Sequence, residues 1–500
     1  MWMRRLSELP LLVVLPGLAA LAMYLPALHA MTQRDHDIAR PFFYGGTLGL
    51  VLTVLLALAT MNRRADDRAR ADLFAFVLSF ALLPLMLALP LHQALRDTTL
   101  LNAWFEMVSS LTTTGATVYE HGRLAPSLHL WRSLVGWLGG LFILVAALAI
   151  LAPLNLGGVE VLSGRAPGRR QEETRLIDPG QRIALHLVAV LPVYVGLTFL
   201  LWVFLALLGE SNLVALTHSM AILSTSGISP VGGLAGSSAG VPGEMVMALF
   251  LVYAITRQSL PGAGVPLRRR HLWQDRELRM ALAIVLGLSV ALMLRHTIAV
   301  LEENDTLAAR GFFPALWGSV FTCLSFLTTT GFVSGDWDTA RFWAGLSSPG
   351  LILAGLAMIG GGIATTAGGV KLLRVYALFR QGARELERSI HPNSVGGGGD
   401  RLLRRDGVYL AWVFFVLFGI SIAVVVGLLT FLGRDFQPAL MFTIGALANA
   451  GPLVAASGEV GITHAALGGA EKLVLALAMV VGRVETIALL ALFASNRWRH

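Results

Sequence analysis

Of the 500 residues, 55% are hydrophobic and only 14% are charged, whereas a soluble chain uses about a quarter charged residues to cover its surfaces. An array of soluble domains is therefore excluded, although the length alone would allow one. The net charge of +8 does not point to nucleic acid either, because the basic residues sit in short blocks between apolar runs, as in a membrane protein with positive loops on one side.

The N-terminal stretch MWMRRLSELPLLVVLPGLAALAMYLPALHA has the form of a signal peptide ending in ALHA. Its apolar run is long, and an equally apolar stretch follows after a short loop, which favours a retained first span. Runs long enough to cross a bilayer lie near 10–30, 42–61, 72–91, 131–153, 183–208, 243–260, 279–298, 346–370, 408–432 and 467–494, predicting ten crossings. Between them lie shorter apolar segments at 101–112, 212–225, 312–329 and 437–449, which suit re-entrant helices better than full spans. The lone cysteine, Cys323, excludes an intramolecular disulfide framework and any four-cysteine metal site.

Charge predicts the orientation. Ten crossings starting inside put RRADDRAR (63–70), GRAPGRRQEETR (164–175), RRRHLWQDRELR (268–279), the connection 371–405 and the RWRH tail on the cytoplasmic side, with both termini. The opposite side is richer in acids, among them Glu302, Glu303, Asp336 and Asp338. Within the long connection, HPNSVGGGGD (391–400) reads as a flexible loop tip.

After the first two spans, the chain repeats one unit four times: span, short segment, polar turn containing glycine, span. The turns are TTTGAT (112–117), STSGIS (224–229), TTTGFV (328–333) and ANAGPL (448–453). Their glycines, Gly115, Gly227, Gly331 and Gly451, recur roughly every 110 residues, a domain-sized duplication and not a solenoid period. Each unit crosses twice, so all four turns fall on the same side. Four such units around an axis bring the turns together, and non-helical backbone at membrane depth is tolerated where it lines a hydrated cavity. Rings of backbone carbonyls replace a cation's hydration shell in a potassium filter. Glycine permits torsion angles that a Cβ opposes, and the flanking threonines favour extended backbone and bring hydroxyls to the pore. Any single glycine here also reads as a helix-packing contact; four equivalent turns in equivalent intervals argue for the filter.

In these motifs the chain resembles the TrkH/TrkG/KtrB family of potassium uptake proteins in the Trk/Ktr/HKT superfamily, and specifically its TrkH type with two extra N-terminal helices. TTTGA and LTTTGFVSGDWD look like its first and third pore loops, and NAGP resembles its NxGP. WLGGLFILVAALAILAPL (137–154), GGIATTAGGVKLLRV (361–375) and GRVETIALLALF (482–493) resemble its second spans in repeats one, three and four. Repeat two departs: Ser226-Gly227-Ile228 stands where a second glycine is common, and YAITRQSLP (253–261) is more polar than usual. Filter four, NAGPL, lacks the common glycine after proline. These departures bear on how strictly potassium is preferred over sodium, and they predict a smaller effect of Gly227→Ser than of Gly115→Ser.

The resemblance implies an all-α polytopic membrane protein with four parallel helix–pore-helix–helix repeats around a central pore, two N-terminal transmembrane helices, about ten transmembrane helices in all and four re-entrant pore loops. The expected units are a two-helix extension (1–70), repeat one (71–160), repeat two (176–265), repeat three (276–380), a cytoplasmic linker (381–405) and repeat four (406–500). It implies a filter built from Thr113, Thr114, Gly115, Thr225, Ser226, Gly227, Thr329, Thr330, Gly331, Asn449, Ala450 and Gly451. Potassium would sit at Thr114, Gly115, Ser226, Gly227, Thr330, Gly331, Ala450 and Gly451.

A buried charge within a span is costly and marks function, and Arg483 lies in the last span, where the family's matching arginine projects below the filter as a barrier. An arginine paired with a carboxylate is the alternative; Glu485, two residues on, does not share its helix face. Gly360-Gly361-Gly362 and Gly368-Gly369 bracket IATTA, a run with too little helix propensity to stay helical. The family places an intramembrane gate loop there, making Gly361, Gly362, Thr365, Thr366, Gly368 and Gly369 gate residues with Arg483; tight small-residue packing is the alternative. Lys371 marks the inner interface. Glu106, Asp336 and Asp338 are expected to concentrate cations at the mouth, although solvated loop acids explain the latter two equally well.

The function read from the chain is potassium uptake across a bacterial inner membrane by the translocating subunit of a Trk-type system, with K+ as the transported ion. The family implies a homodimer and a cytoplasmic nucleotide-binding regulatory subunit of the TrkA type, which would carry any nucleotide. No phosphate-binding loop of the GxxxxGK[ST] form occurs in the chain. A less selective sodium/potassium channel or a cation symporter is the alternative of the same class. A membrane enzyme using His218 lacks a nucleophile–base pair and an HExxH site, and His218 is expected to be packed or hydrogen-bonded on the second pore helix.

Overall fold

The computed structural model describes residues 11–60, 68–152, 179–256, 275–303, 312–343, 349–391, 405–458 and 462–485, and among them there is no strand. Helices α1 (Leu11–Ala22) and α2 (Tyr24–Thr32) follow one another through the buried Met23 as a first rod, and α3 (His36–Thr60) folds back along it. Both α1 and α3 pack on α4 (Arg68–Ala94), the opening helix of repeat one. The outer face of α3 carries Leu48, Leu55 and Leu58 exposed, the surface a span presents to lipid tails.

Four times the chain then runs through a long helix, a short helix and a turn into a further helix. Repeat one continues from α4 through α5 (Leu100–Leu111) into α6 (Pro126–Ala146), which runs on as a π-turn to Leu151. Repeat two has α7 (Pro179–Leu207), α8 (Asn212–Ser224) and α9 (Gly240–Leu251). Repeat three has α10 (Arg276–Glu303), α11 (Phe312–Leu327), the outer α12 (Trp337–Trp343), α13 (Pro349–Ile359) and α14 (Leu372–Ile390). Repeat four has α15 (Arg405–Phe431), α16 (Phe436–Leu447), the single turn α17 (Leu453–Ala456) and α18 (Gly469–Val484).

Helices α5, α8, α11 and α16 hold 12, 13, 16 and 12 residues, short of the ~20 needed to span a bilayer. Each buries most of its side chains inside the bundle. These are the four short segments expected from the sequence.

Among the described residues, seven helices are long and apolar enough to cross a membrane. The second spans of repeats two, three and four are shorter: the first passes into a 3-10 turn at Val252–Ala254, the next stops at Ile359, and α18 stops at Val484. The apolar run at 346–370 is interrupted, as the glycines bracketing IATTA lead one to expect. Residues 360–371 are not helical, because consecutive glycines forfeit helix propensity on both sides of IATTA. Within the stretch expected as a cytoplasmic linker (381–405), α14 stays helical to Ile390. The loop 164–175, the tip 392–400, residues 257–261 and the RWRH tail lie outside the described residues.

Candidate functional site

Each short helix ends in the same way. The amide of Thr114 donates to the Ser109 carbonyl at 2.8 Å and that of Thr113 to Ser110 at 2.9 Å. Ser226 and Thr225, Thr330 and Thr329, and Ala450 and Asn449 repeat this pair of bonds in the other three turns. This is the helix stop that normally places glycine in the left-handed region. Here the left-handed residues are Thr113, Thr225, Thr329 and Asn449, with φ of 54°, 54°, 59° and 53°. The expectation of extended threonines is thus corrected at those positions: the helix stop overrides the β-branched preference, at a cost of about 1–3 kcal/mol per residue. Two residues later comes the glycine. Gly115, Gly227 and Gly331 have φ of 73°, 61° and 80°. Gly451 is not left-handed, so the torsional reason for glycine fails in repeat four.

A close approach replaces it. A Cβ on Gly451 would lie 2.4 Å from the amide nitrogen of Ala116 in the first turn. On Gly115 it would lie 1.8 Å from the Ser226 carbonyl oxygen, on Gly227 2.1 Å from the Thr330 carbonyl oxygen, and on Gly331 3.0 Å from Pro452. Turn one therefore abuts turn two, two abuts three, three abuts four, and four abuts one. The four glycines form a closed ring. Across its last seam the Gly451 amide donates to the Thr114 carbonyl at 2.7 Å, and Asn449 Nδ2 donates to Thr114 Oγ1 at 3.0 Å.

A hydroxyl pair is tied down in each of the first three turns. Thr114 bonds Thr112 at 2.8 Å, Ser226 bonds Ser224 at 3.0 Å and Thr330 bonds Thr328 at 3.1 Å. Ala448 and Ala450 offer no such pair in repeat four. Side-chain oxygen is thus held in fixed places beside the backbone in three of the four turns.

Beneath the ring lies the break of repeat three. Gly368 donates its amide to Thr329 Oγ1 at 2.7 Å, and a Cβ there would lie 2.0 Å from the Ala448 carbonyl oxygen. Thr366 Oγ1 donates to the Leu223 carbonyl at 3.1 Å, Thr365 Oγ1 to Gly362 at 2.7 Å, and the Gly362 amide to Ala254 at 3.1 Å. The segment is thereby bonded to repeats two and three and packed against repeat four, directly under the turns. Gly360 and Gly369 are both left-handed, with φ of 74° and 75°, as a reversal in so little space requires. A Cβ on Gly360 would lie 2.2 Å from the Gly368 carbonyl oxygen and one on Gly369 2.7 Å from Gly360 Cα, so the two ends of the segment meet too closely for side chains.

Arg483 reaches this segment from α18. It is 5% exposed, and its Nη1 donates to the Thr366 carbonyl at 2.7 Å, while Nε and Nη2 have no protein partner. The carboxylate that would have made it a structural ion pair is taken elsewhere: Glu485 pairs with Arg374 at 2.7 Å, and the Arg374 guanidinium lies 3.9 Å from the Phe414 ring centroid. A cavity under the ring is lined by Thr365, Gly368, Lys371, Gly482, Arg483 and Glu485. Lys371 is buried and donates to the Ala367 carbonyl.

A family model described as TrkH, cation transport protein, matches residues 39–235 and 268–499. The chain belongs to the TrkH family. The Trk system potassium uptake protein TrkH of Salmonella typhimurium is 29% identical over 486 residues, covering 95% of this chain and 96% of that protein. TrkH of Halomonas elongata is 30% identical over 456 residues, 89% of each chain. The crystal structure of the potassium transporter TrkH from Vibrio parahaemolyticus matches with a TM-score of 0.79 and 27% identity over the whole of both chains. This is an all-α, multi-pass membrane protein of a transport family, not an enzyme, and among the described residues no His, Cys, Asp or Glu cluster could hold a resident metal.

One further expectation of this TrkH-family chain is revised. Glu106 does not face the mouth: it is fully buried, paired with Arg132 at 2.6 Å, and accepts the Val118 amide at 3.1 Å. Its length and charge suggested solvent, but the buried guanidinium and the return strand claim both oxygens. Asp338 does remain exposed, paired with Arg341 at 3.1 Å. Sequence reading passed over Glu244, a buried carboxylate on α9 that accepts from Trp317 Nε1 at 2.8 Å, Ser334 Oγ at 2.6 Å and the Gly335 amide at 2.7 Å. A lone acid in an otherwise apolar span was the signal that would have found it.

Proposed function

We propose that this chain is the potassium-translocating subunit of a Trk-type uptake system in a bacterial inner membrane. The observation that carries the reading is the closed ring of four glycine turns, each packed against the next, at the inner ends of four buried short helices. A dehydrated K+ is held there by carbonyls of Thr114, Gly115, Ser226, Gly227, Thr330, Gly331, Ala450 and Gly451, which take the place of its water shell. Short buried helices stopping at one ring also aim their C-terminal carbonyl ends at it, the favourable end of a helix dipole for a cation. The relatives' names as potassium uptake proteins support the choice of ion.

Below the ring, the 360–371 segment and Arg483 form the closed gate. A fixed cation with a single carbonyl partner repels K+ in a narrow passage, and the side chain obstructs it. Opening requires the segment to leave its bonds to Thr329 and Leu223. The same reading divides the chain at 1–70, 71–160, 176–265, 276–380, 381–405 and 406–500, places both termini in the cytoplasm, and assembles the chain as a homodimer with a nucleotide-binding TrkA-type regulatory subunit on the cytoplasmic side. Ala450 in turn four, which brings no hydroxyl, favours the less selective sodium/potassium channel as the second reading.

Flux measured in liposomes under imposed gradients separates them. A potassium flux well above the sodium flux is the expected result. Equal fluxes select the second reading, and no cation flux in either direction overturns both.

A further inference from the structure

The position nine residues before each filter glycine (106 against 115, 218 against 227, 322 against 331, 442 against 451) carries Glu106, His218, Thr322 and Phe442. All sit on the short helices, and the first three share one task. Glu106 accepts the amide of Val118, three residues past its glycine, and the Thr117 hydroxyl at 3.2 Å. Thr322 Oγ1 accepts the amide of Ser334, again three residues past its glycine, at 3.2 Å. His218 Nε2 bonds Ser229 Oγ, two residues past its glycine, at 2.9 Å, and its ring meets that of Phe332 edge-on at 5.4 Å. In repeat four, Phe442 has no hydrogen-bonding group and packs on His464 at 5.1 Å.

Resting on the filter reading above, we infer that Glu106, His218 and Thr322 are positioning residues that hold the outgoing strand of three turns and thereby set the preference for potassium over sodium. All three are fully buried. None is at the glycine ring itself, so each acts through the strand it holds. The strand has no ladder partner, and its amides at membrane depth must be satisfied by a side chain or move. A turn free to move contracts around a smaller ion, whereas a held turn keeps the wider cage. The braces differ in strength. Glu106 is a charged acceptor fixed from behind by Arg132, and charge-assisted bonds are about twice as strong as neutral ones. Thr322 is a neutral acceptor, and its strand is also held by Glu244 through Ser334 and Gly335.

The test uses the full-length protein in liposomes and reads the potassium-to-sodium flux ratio, which a loss of folded protein does not move. Thr322→Val keeps shape and removes the acceptor; Thr322→Ser keeps the hydroxyl. We expect Thr322→Val to lower the ratio about threefold and Glu106→Gln about tenfold, from the typical strengths of neutral and charged hydrogen bonds. Thr322→Ser and Phe442→Leu should keep the wild-type ratio. If Glu106→Gln does not fold, the Val and Ser pair at position 322 decides alone. An unchanged ratio in Thr322→Val, or an equal fall in Phe442→Leu, overturns the inference. Gly115→Ser distinguishes the two levels: if it loses selectivity while the brace variants keep theirs, only the braces fall, and if it too keeps the ratio, the filter reading falls with them.

Discussion

The first three turns and the fourth reach one ring by different means. Turns one to three use a left-handed glycine, a hydroxyl pair beside it and a polar brace from the short helix. Turn four has a glycine outside the left-handed region, alanines in place of the hydroxyls and phenylalanine at the brace position. It is held by its neighbour instead, through Asn449 Nδ2 on Thr114 and the Gly451 amide on the Thr114 carbonyl. Asn449 also donates to the Met479 carbonyl of α18, the helix that carries Arg483. The difference teaches that the duplicated units are not equivalent: three shape the ring, and the fourth locks it and connects it to the barrier.

If repeat four is the connection to the barrier, the largest change should come from its own second helix. Arg483→Ala is expected to raise basal potassium flux in liposomes, normalised to folded protein, on the order of a hundredfold, the scale of removing a charge from the middle of a span. Arg483→Lys should remain near wild type because it keeps the charge. A folded alanine variant that conducts no faster removes Arg483 as the barrier.

Next come the ring-shaping glycines. Gly115→Ser and Gly227→Ser should each lower the potassium-to-sodium flux ratio about tenfold, because both add a left-handed penalty and a backbone clash. The departures of repeat two led to the expectation of a smaller effect at Gly227, but its φ and its distance to the neighbouring carbonyl are close to those at Gly115, and on that geometry the two effects are set equal. A ratio that falls in only one of them would restore the inequality of repeats one and two.

Asn449→Ala removes two hydrogen bonds of the lock and should cost about fivefold in the same ratio. It should also shift basal flux, because it frees the ring from α18; unchanged flux would separate the ring from the barrier. The smallest effect is expected at Thr113, whose hydroxyl has no partner. Thr113→Gly relieves a left-handed β-branched residue and should raise thermal stability by about 1 kcal/mol. A lower melting temperature would show that the hydroxyl is used.

The four-unit plan was legible because glycine and threonine at fixed intervals between apolar runs admit few other readings. The break at 360–371 and the isolation of Arg483 from Glu485 were legible for the same local reason, helix propensity and helix phase. What the sequence hid depends on partners far along the chain. Thr113, Thr225 and Thr329 look extended by propensity, yet the helix stop they close imposes a left-handed turn. Gly451 looks like its three counterparts, although only Ala116, over three hundred residues away, explains it. Glu106 looks like a surface acid until Arg132 and the Val118 amide are seen behind the turn. Aligning the units on their glycines would have exposed the brace position, where Glu, His, Thr and Phe replace one another.

The central claim is that the four turns form one ion-holding ring, and rubidium or thallium, heavy substitutes for potassium, can be seen in it directly. Anomalous scattering from crystals of the full-length protein soaked in either ion should place density on a single axis among Gly115, Gly227, Gly331 and Gly451, weakened by sodium only at large excess. Density beside one or two of these glycines but off a common axis, or bound ion only at sites remote from all four, would contradict the account.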